Sequence, residues 1–423
     1  MITRVEALRY RCLRYANVEL RPFQILVGPN ASGKSTFLDT VAFIADFLNE
    51  GLDAAVWGSR RMFPRSISEF SDLLFDGRGN SFELAVEMSI PERLRRENGH
   101  NQWTQARYQL SVGKSGDPAT VQILEETFWL KPDGSPSEPR ERLLFPNDPP
   151  APDTILQGTS RGPTGWRKVV SKSNSGNDYF KSETTDWNNL FRLGPRKSAL
   201  ANLPEDEERF PVAIWAKRYL MEQVQNLALN SNAMRAPTPP GRPPIYDPNG
   251  ANLPALVQHL KQQAPERFDE WVHHLQSALP DLKNVSVAEF PQNKSLYLLI
   301  DYGHVQVPSW GVSDGSLRVM ALTLLAYLPG LEQTVMIEEP ENGVHPQAVE
   351  AVFQSLSSLY DAQVFMATHS PLILGLAKPE QVLCFGKAPD GSCDIVRGDH
   401  HPKLRDWKGE VDLATLYAAG VLG

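Results

Sequence analysis

What the chain lacks narrows its function before any motif is read. No apolar stretch near a motif reaches the roughly 18 to 20 residues that a membrane-crossing helix needs; the longest, "VMALTLLAYL" from Val319 to Leu328, stops well short. No membrane partner is expected. The N-terminus "MITRVEALRYRC" is broken by charges and has no apolar leader core, so a cytoplasmic protein is expected. Cysteine is scarce: Cys12, Cys384 and Cys393 are odd in number and show no CxxC spacing, which argues against a disulfide framework and a cysteine-held zinc site. A surplus of positive charge is missing too. The formal charge of -8 argues against a uniformly basic nucleic-acid surface, while leaving room for a local one. Sustained heptads and internal repeats are absent, so no long coiled-coil arm is expected.

What is present is a globular composition, 423 residues with 41% hydrophobic and 22% charged, enough for two or three lobes. Strands are expected in "ITRVEAL", "CLRYANVEL" and "FQILV", then a helix from about Lys34 to Leu48 with a broad apolar face. Between Asn80 and Leu130 three alternating runs, "SFELAVEMSI", "ARYQLSV" and "TVQILEETFWL", predict an antiparallel sheet with one face in water. Proline and glycine crowd Pro132 to Pro163, and proline returns in Ala236 to Pro248. Helices are expected in "FPVAIWAKRYLMEQVQNLAL", "NLPALVQHLKQQ" and "ERFDEWVHHLQSAL". The last third alternates strands ("NVSVAEF", "SLYLLI", "TVMIEE", "QVFMAT") with helices, which predicts an α/β fold with a doubly wound, mostly parallel sheet. Three segments follow: an N-terminal lobe with a β-subdomain at 1–130, a Pro-rich and helical insertion at 131–248, and a C-terminal lobe at 249–423.

"GPNASGKST", Gly28 to Thr36, fits G-x-x-x-x-G-K-[ST] and lies between an apolar strand and an apolar helix, the context a phosphate-binding loop requires. Gly28, Asn30, Ala31, Ser32 and Gly33 would curl the backbone so that N–H groups face phosphate oxygens. Lys34 would supply charge to the β- and γ-phosphates, Ser35 would ligate Mg²⁺, and Thr36 would complete the loop. The implied cofactors are ATP and Mg²⁺.

"TVMIEEPENGVHP" ends an apolar strand in Glu338 and Glu339, at the sheet edge where α/β folds bind ligands. Successive strand residues face opposite sides, so Glu338 would help hold Mg²⁺ and Glu339 would activate water. Alone, such a pair also describes a solvated strand end. Glu341 and His345 are four apart, but their proline- and glycine-rich surroundings argue for a loop rather than a second metal site. "QVFMATHSP" places His369 where another strand ends, so that it could donate to a γ-phosphate or merely precede a turn. The pairs His273/His274 and His400/His401 are expected on solvated surfaces.

"VSDGSLR", Val312 to Arg318, reads as a helix cap by itself. In order with the other three motifs it resembles the signature motif of ABC-type ATPase heads, in the branch with SMC, RecF-like and OLD-family ATPases. The sequence is most similar to stand-alone AAA-family ATPases of bacterial anti-phage operons, which share "EEPENG-HP", "THSP" and a tail like "DLATLYAAGVLG". The resemblance implies a homodimer or higher oligomer that sandwiches two ATP molecules, with Ser313 and Gly315 of one chain contacting the γ-phosphate bound by the other. Three positions depart from the pattern: Glu338 stands where aspartate is usual, Asp314 stands where transporters have glycine, and the next glutamine after the phosphate loop is Gln102. The last leaves the Q-loop residue unassigned, with Ser66 to Asp72 as a substitute region. The stretch after His369 is too short for the nuclease domain of OLD proteins, so the chain is not expected to cut nucleic acid itself.

Three functions compete. The first is an ATP-hydrolysing, dimerising regulator of a separately encoded effector, a nuclease or toxin, in anti-phage defence. The second is a DNA-repair or DNA-end-binding ATPase, for which Arg9, Arg11 and Arg14, with Arg60, Arg61 and Arg65, would form basic patches. The third is a nucleotide-gated scaffold that does not hydrolyse.

Overall fold

The computed structural model describes residues 1–58, 67–97, 102–132, 142–147, 150–158, 162–174, 178–243, 245–404 and 412–422. Its centre is a six-stranded sheet in the order Val224–Leu227, Thr334–Glu338, Gln363–Ala367, Phe23–Val27, Val382–Lys387 and Cys393–Arg397. All neighbours pair in parallel except the last. Alternation along each strand sends side chains to opposite faces. Leu26, Met336 and Phe365 enter one core with helix Lys34–Glu50, while Ile25, Val27, Ile337 and Val364 enter a second core. That second core holds helices Leu253–Gln263, Pro265–Ala278, Asp314–Leu324 and Pro346–Ser357.

On the far side of helix Lys34–Glu50 lies an eight-stranded antiparallel sheet. Its order is Leu13–Glu19, Ile2–Tyr10, Ser81–Ser89, Gln105–Ser115, Thr120–Lys131, Arg167–Ser173, Tyr179–Lys181 and Asn188–Leu190. Of segment 131–248, the part from Arg167 to Leu190 therefore extends this sheet, whereas Val224–Leu227 edges the parallel one. The helix is buried along nearly its whole length because it is covered on both sides.

Four expectations need correction. The polar face of the antiparallel sheet is covered rather than wet. Arg107, 2% exposed, bonds Glu6 at 2.8 Å, Glu87 at 3.1 Å and the Ile155 carbonyl at 2.9 Å. The segment 153–158 lies across these charges, with Ile155 N donating to Glu83 and Gln157 N to Gln109. Polar alternation marks this face correctly, but here the polar groups satisfy one another.

The helix expected from Phe210 stops early. Pro211–Arg218 is α-helical, Tyr219–Gln223 is a π turn, and Val224–Leu227 is a strand paired with Thr334–Ile337. A short apolar run carries no period of its own, and an open edge of the parallel sheet decides its state. Third, Asn284–Glu289 and Leu296–Asp301 leave the parallel order and form an antiparallel sheet with Gln306–Pro308, since their short connection permits a hairpin.

Fourth, not all the paired histidines are solvated. His401 is 1% exposed, packed edge-on to Phe145, and accepts from Lys403 N at 3.2 Å. Burial pushes its pKa down to about 4, with Lys403 acting in the same sense. His274 is half-buried and bonded to the Tyr327 hydroxyl at 2.9 Å.

Candidate functional site

Strand register brings the three expected motifs to one edge. Glu338 is paired with Ala367, and Ala367 with Leu26, so the parallel strands end level with one another. The phosphate loop leaves after Val27, the acidic turn after Glu338 and the histidine segment after Ala367. This is the carboxyl-end crevice of an open α/β sheet, where backbone N–H groups and side chains of successive loops converge.

Residues 28–33 turn tightly into helix Lys34–Glu50, with Ala31 at φ 58° and Gly33 at φ 105°. A Cβ on Gly33 would meet Cys393 Sγ at 2.7 Å and Cys12 Sγ at 3.1 Å, so both conformation and space require glycine there. Asn30 and Ala31 are exposed, while Gly28 and Ser32 are buried. Among the described residues the Ser32 hydroxyl has no hydrogen-bond partner, and a phosphate oxygen would satisfy it. Lys34 folds over the loop, Nζ donating to the carbonyls of Gly28 at 2.9 Å and Pro29 at 3.0 Å. Burial pulls the Lys34 pKa below the ordinary lysine value, and Glu338 and Glu339 oppose that shift. Ser35 is exposed beside them and Thr36 half-buried.

The Ser35 hydroxyl donates to Glu338 Oε1. The longer glutamate thus reaches the phosphate-loop hydroxyl, and the two present hard oxygen donors side by side. Among the described residues no cluster of three His, Cys, Asp or Glu side chains is arranged for a metal. Two protein oxygens nevertheless suit Mg²⁺, which keeps several waters and takes phosphate oxygens for the rest of its shell.

Glu339 turns off the strand with φ 49°, a left-handed conformation that costs a non-glycine residue on the order of 1 to 3 kcal/mol. It is held there by its N–H, which donates to the Ala367 carbonyl at 2.7 Å, and by Asn342, whose amide donates to its carboxylate. Glu341 performs a different task, accepting from Thr368 Oγ1 at 2.5 Å and from His369 N at 3.3 Å. It ties the acidic turn to the histidine segment. His345 caps helix Pro346–Ser357 by accepting from Gln347 N.

His369 shares the field of Lys34, Glu339 and Glu341. Burial first, and then Lys34, lower its pKa below the ordinary histidine value, with both acids opposing. Its Nδ1 lies 2.9 Å from the Tyr417 hydroxyl. No local sequence pattern points to Tyr417 or Asn342, because their partners are set by the fold.

Ser313 caps helix Asp314–Leu324, accepting from Ser316 N at 3.2 Å and donating to Ser316 Oγ at 2.8 Å. Arg235 steadies the turn by donating to the Val312 carbonyl at 2.9 Å and to Asp314. Gly315 lies against the loop after Glu339: a Cβ there would stand 2.4 Å from the Gly343 carbonyl oxygen. Helix Asp314–Leu324 is therefore packed on the acidic turn of its own chain. A cavity of about 270 Å³ beside that turn is lined by Asn226, Leu229, Arg318, Glu338, Glu339 and Asn342. Strand Val224–Leu227 delivers its end to this cavity. In the substitute region suggested by the sequence, Asp72 instead accepts from Ser68 N and Glu69 N, while Ser66 lies outside the described residues. Gln102 is an exposed turn residue.

Arg9, Arg11 and Arg14, expected in a basic patch, face acids. Arg9 is 3.6 Å from Glu83, Arg11 is 3.1 Å from Asp39, and Arg14 is 3.4 Å from Asp390. Arg60, Arg61 and Arg65 lie outside the described residues.

The fold is similar to that of SMC heads. A crystal structure of an SMC head bound to the C-winged helix domain of ScpA matches at 12% identity over 93% of this chain and 97% of that one, with TM-score 0.50. An SMC head domain with an extended coiled coil, bound to the C-terminal domain of ScpA from Pyrococcus furiosus, matches at 12% identity over 93% and 95%, with TM-score 0.49. No curated protein matches the sequence. Residues 23–375 match the family model described as "AAA domain, putative AbiEii toxin, Type IV TA system", a span that runs from the phosphate-loop strand past His369, and the chain belongs to that family.

Proposed function

We propose that this protein binds Mg²⁺-ATP in the crevice, closes with a second copy over two nucleotides, and hydrolyses them to set the state of a separately encoded effector. The observation that carries this reading is the convergence of Lys34, Ser35, Glu338, Glu339 and His369, delivered by three adjacent strand ends.

Each residue has a task that follows from its surroundings. Lys34 exchanges the Gly28 and Pro29 carbonyls for β- and γ-phosphate oxygens, and the Ser32 hydroxyl gains an acceptor. Ser35 and Glu338 hold Mg²⁺, which when bound neutralises charge on the β- and γ-phosphates. Glu339, kept in place by Asn342, accepts from the attacking water. His369 donates to the γ-phosphate. Ser313 and Gly315 meet the γ-phosphate held by the other copy, where the helix N-terminus favours an anion.

The family description, a putative toxin of a toxin–antitoxin system, supports pairing with a second, separately encoded component. A protein partner on a head of this shape is supported by the ScpA-bound SMC head. The pairing of Arg9, Arg11 and Arg14 with acids speaks against a basic duplex-binding patch there.

Glu339→Gln tests the reading. Loss of the carboxylate base should slow steady ATP turnover by about 10² or more, while ATP-dependent dimers persist in sedimentation. Steady turnover at the wild-type rate would contradict it.

A further inference from the structure

A cavity of about 540 Å³ opens on the outer face of the antiparallel sheet, and none of its lining residues belongs to the phosphate-loop crevice. The segment 153–158 covers this face only as far as Gly158. Beyond it, Trp129, Trp166 and Tyr179 line the cavity together with Arg167, Lys168 and Lys181. Strand register explains the gathering. Trp129 pairs with Lys168, Ser171 of the same strand pairs with Tyr179, and Lys181, two residues on, faces the same side as Tyr179.

The rings are fixed by the protein's own contacts. Trp129 is 2% exposed, donates from Nε1 to Thr127 Oγ1 at 3.1 Å and meets Trp166 edge-on with ring centroids 6.0 Å apart. The backbone at Gly158 and Gly162 lies against it, where an added Cβ would stand 2.5 and 2.8 Å from the indole. Trp103 closes one side, its Nε1 donating to the Gly165 carbonyl at 3.0 Å. Trp166 and Tyr179 remain partly exposed.

The cations beside these rings differ from their neighbours. On the same sheet Lys131 is paired with Glu87 at 2.7 Å and Lys172 with Asp178 at 3.7 Å. Arg167 Nε instead donates to the Ser182 carbonyl at 2.9 Å and Lys168 Nζ to the Gly158 carbonyl at 3.1 Å, and a carbonyl leaves the charge uncancelled. Among the described residues no carboxylate forms an ion pair with Arg167, Lys168 or Lys181. Burial pulls the Lys168 pKa below the ordinary lysine value and Glu125 opposes the shift; an anion beside it would oppose it further.

A chain with a formal charge of -8 thus keeps three uncancelled cations next to a wall of rings. Flat rings favour flat ligands, cations favour phosphate, and the volume suits a small ligand or one unit of a longer one. Nucleic acid carries planar groups and phosphates in regular alternation. In a duplex the bases stack on each other, whereas in a single strand they are free to lie on an aromatic side chain. An acidic peptide would satisfy the cations and leave the rings without a partner.

We propose that this cavity binds single-stranded nucleic acid, with a base against the exposed parts of Trp166 and Tyr179 and the flanking phosphates on Arg167, Lys168 and Lys181.

The test is fluorescence anisotropy of the full-length protein, without ATP, against labelled single strands of DNA and of RNA with the same mixed sequence. Binding of either supports the proposal, and the comparison shows which sugar is preferred. The corresponding duplex, and polyglutamate of equal charge, should compete poorly. Trp166→Ala should weaken binding by about tenfold or more, as expected for one lost stacking contact. Lys181→Gln should lower the slope of log Kd against log salt by roughly 0.7, the share of one phosphate contact on a single strand. Circular dichroism checks that both variants fold, and the partly exposed Lys181 keeps the test available should Trp166→Ala not fold. Lys34→Ala should bind strands as the wild type does, which separates this cavity from the phosphate loop. No strand binding, equal competition by duplex or polyglutamate, loss of binding in Lys34→Ala, or wild-type affinity and salt slope in the folded cavity variants overturns the proposal.

Discussion

The Ser35 hydroxyl donates to Glu338 Oε1 across 303 positions of sequence. One group opens the helix after the first parallel strand of the core and the other ends the strand two places away in the same sheet. Their meeting turns two local motifs into one site.

Ser35→Ala removes the hydroxyl and leaves the loop backbone intact. The Mg²⁺ concentration for half-maximal ATP turnover should rise by about 10- to 100-fold, as expected when a metal shell loses a supporting oxygen. A Mg²⁺ titration of ATPase activity measures this. An unchanged titration curve would remove Ser35 from the metal shell.

Gly315→Ala tests how helix Asp314–Leu324 is seated. The added carbon meets a backbone oxygen, Gly343 O, at 2.4 Å, so the helix and the acidic turn must separate. Strain of this kind costs roughly 1 to 3 kcal/mol. Thermal unfolding should shift downward and ATP turnover should be lost, whereas Ser316→Gly should keep the fold. Wild-type stability in Gly315→Ala would show that the contact yields freely.

Arg107→Leu should destabilise the protein by about 3 to 5 kcal/mol, because Glu6 would stay buried without its guanidinium partner and Glu87 would keep only Lys131 and Arg4. Chemical denaturation measures the difference. Burial alone would raise the Glu87 pKa, but Lys131, Arg107 and Arg4 more than offset it and hold it below 4.5. A carboxylate with a depressed folded-state pKa contributes stability that is fully present above its unfolded value and is lost as pH falls through the folded one. The wild type should therefore lose stability below about pH 4.5 through Glu87. Glu87→Gln should flatten that part of the curve.

The phosphate loop, the paired glutamates and His369 were legible because each sits at the end of a contiguous apolar strand, and the parallel α/β order then brings strand ends together. Helices Leu253–Gln263 and Pro265–Ala278 were legible from their apolar period. What stayed hidden depends on distant partners. Val224–Leu227 is a strand only because Thr334–Ile337 offers a parallel edge. Glu6, Glu83, Glu87 and Arg107 look solvent-facing until the segment 153–158 covers them. Tyr417 lies 389 positions from Gly28, and no local pattern announces their approach. His401 looks solvated until its neighbours bury it.

The central claim is that one copy's Ser313 completes the site held by the other copy's Lys34. The most direct measurement mixes Lys34→Ala with Ser313→Arg, each inactive alone, and assays ATP turnover. A mixed dimer has one site with both residues intact, so random pairing should restore roughly a quarter of the wild-type rate. No recovery in confirmed mixed dimers would contradict the account and leave Ser313 as the cap of its own helix.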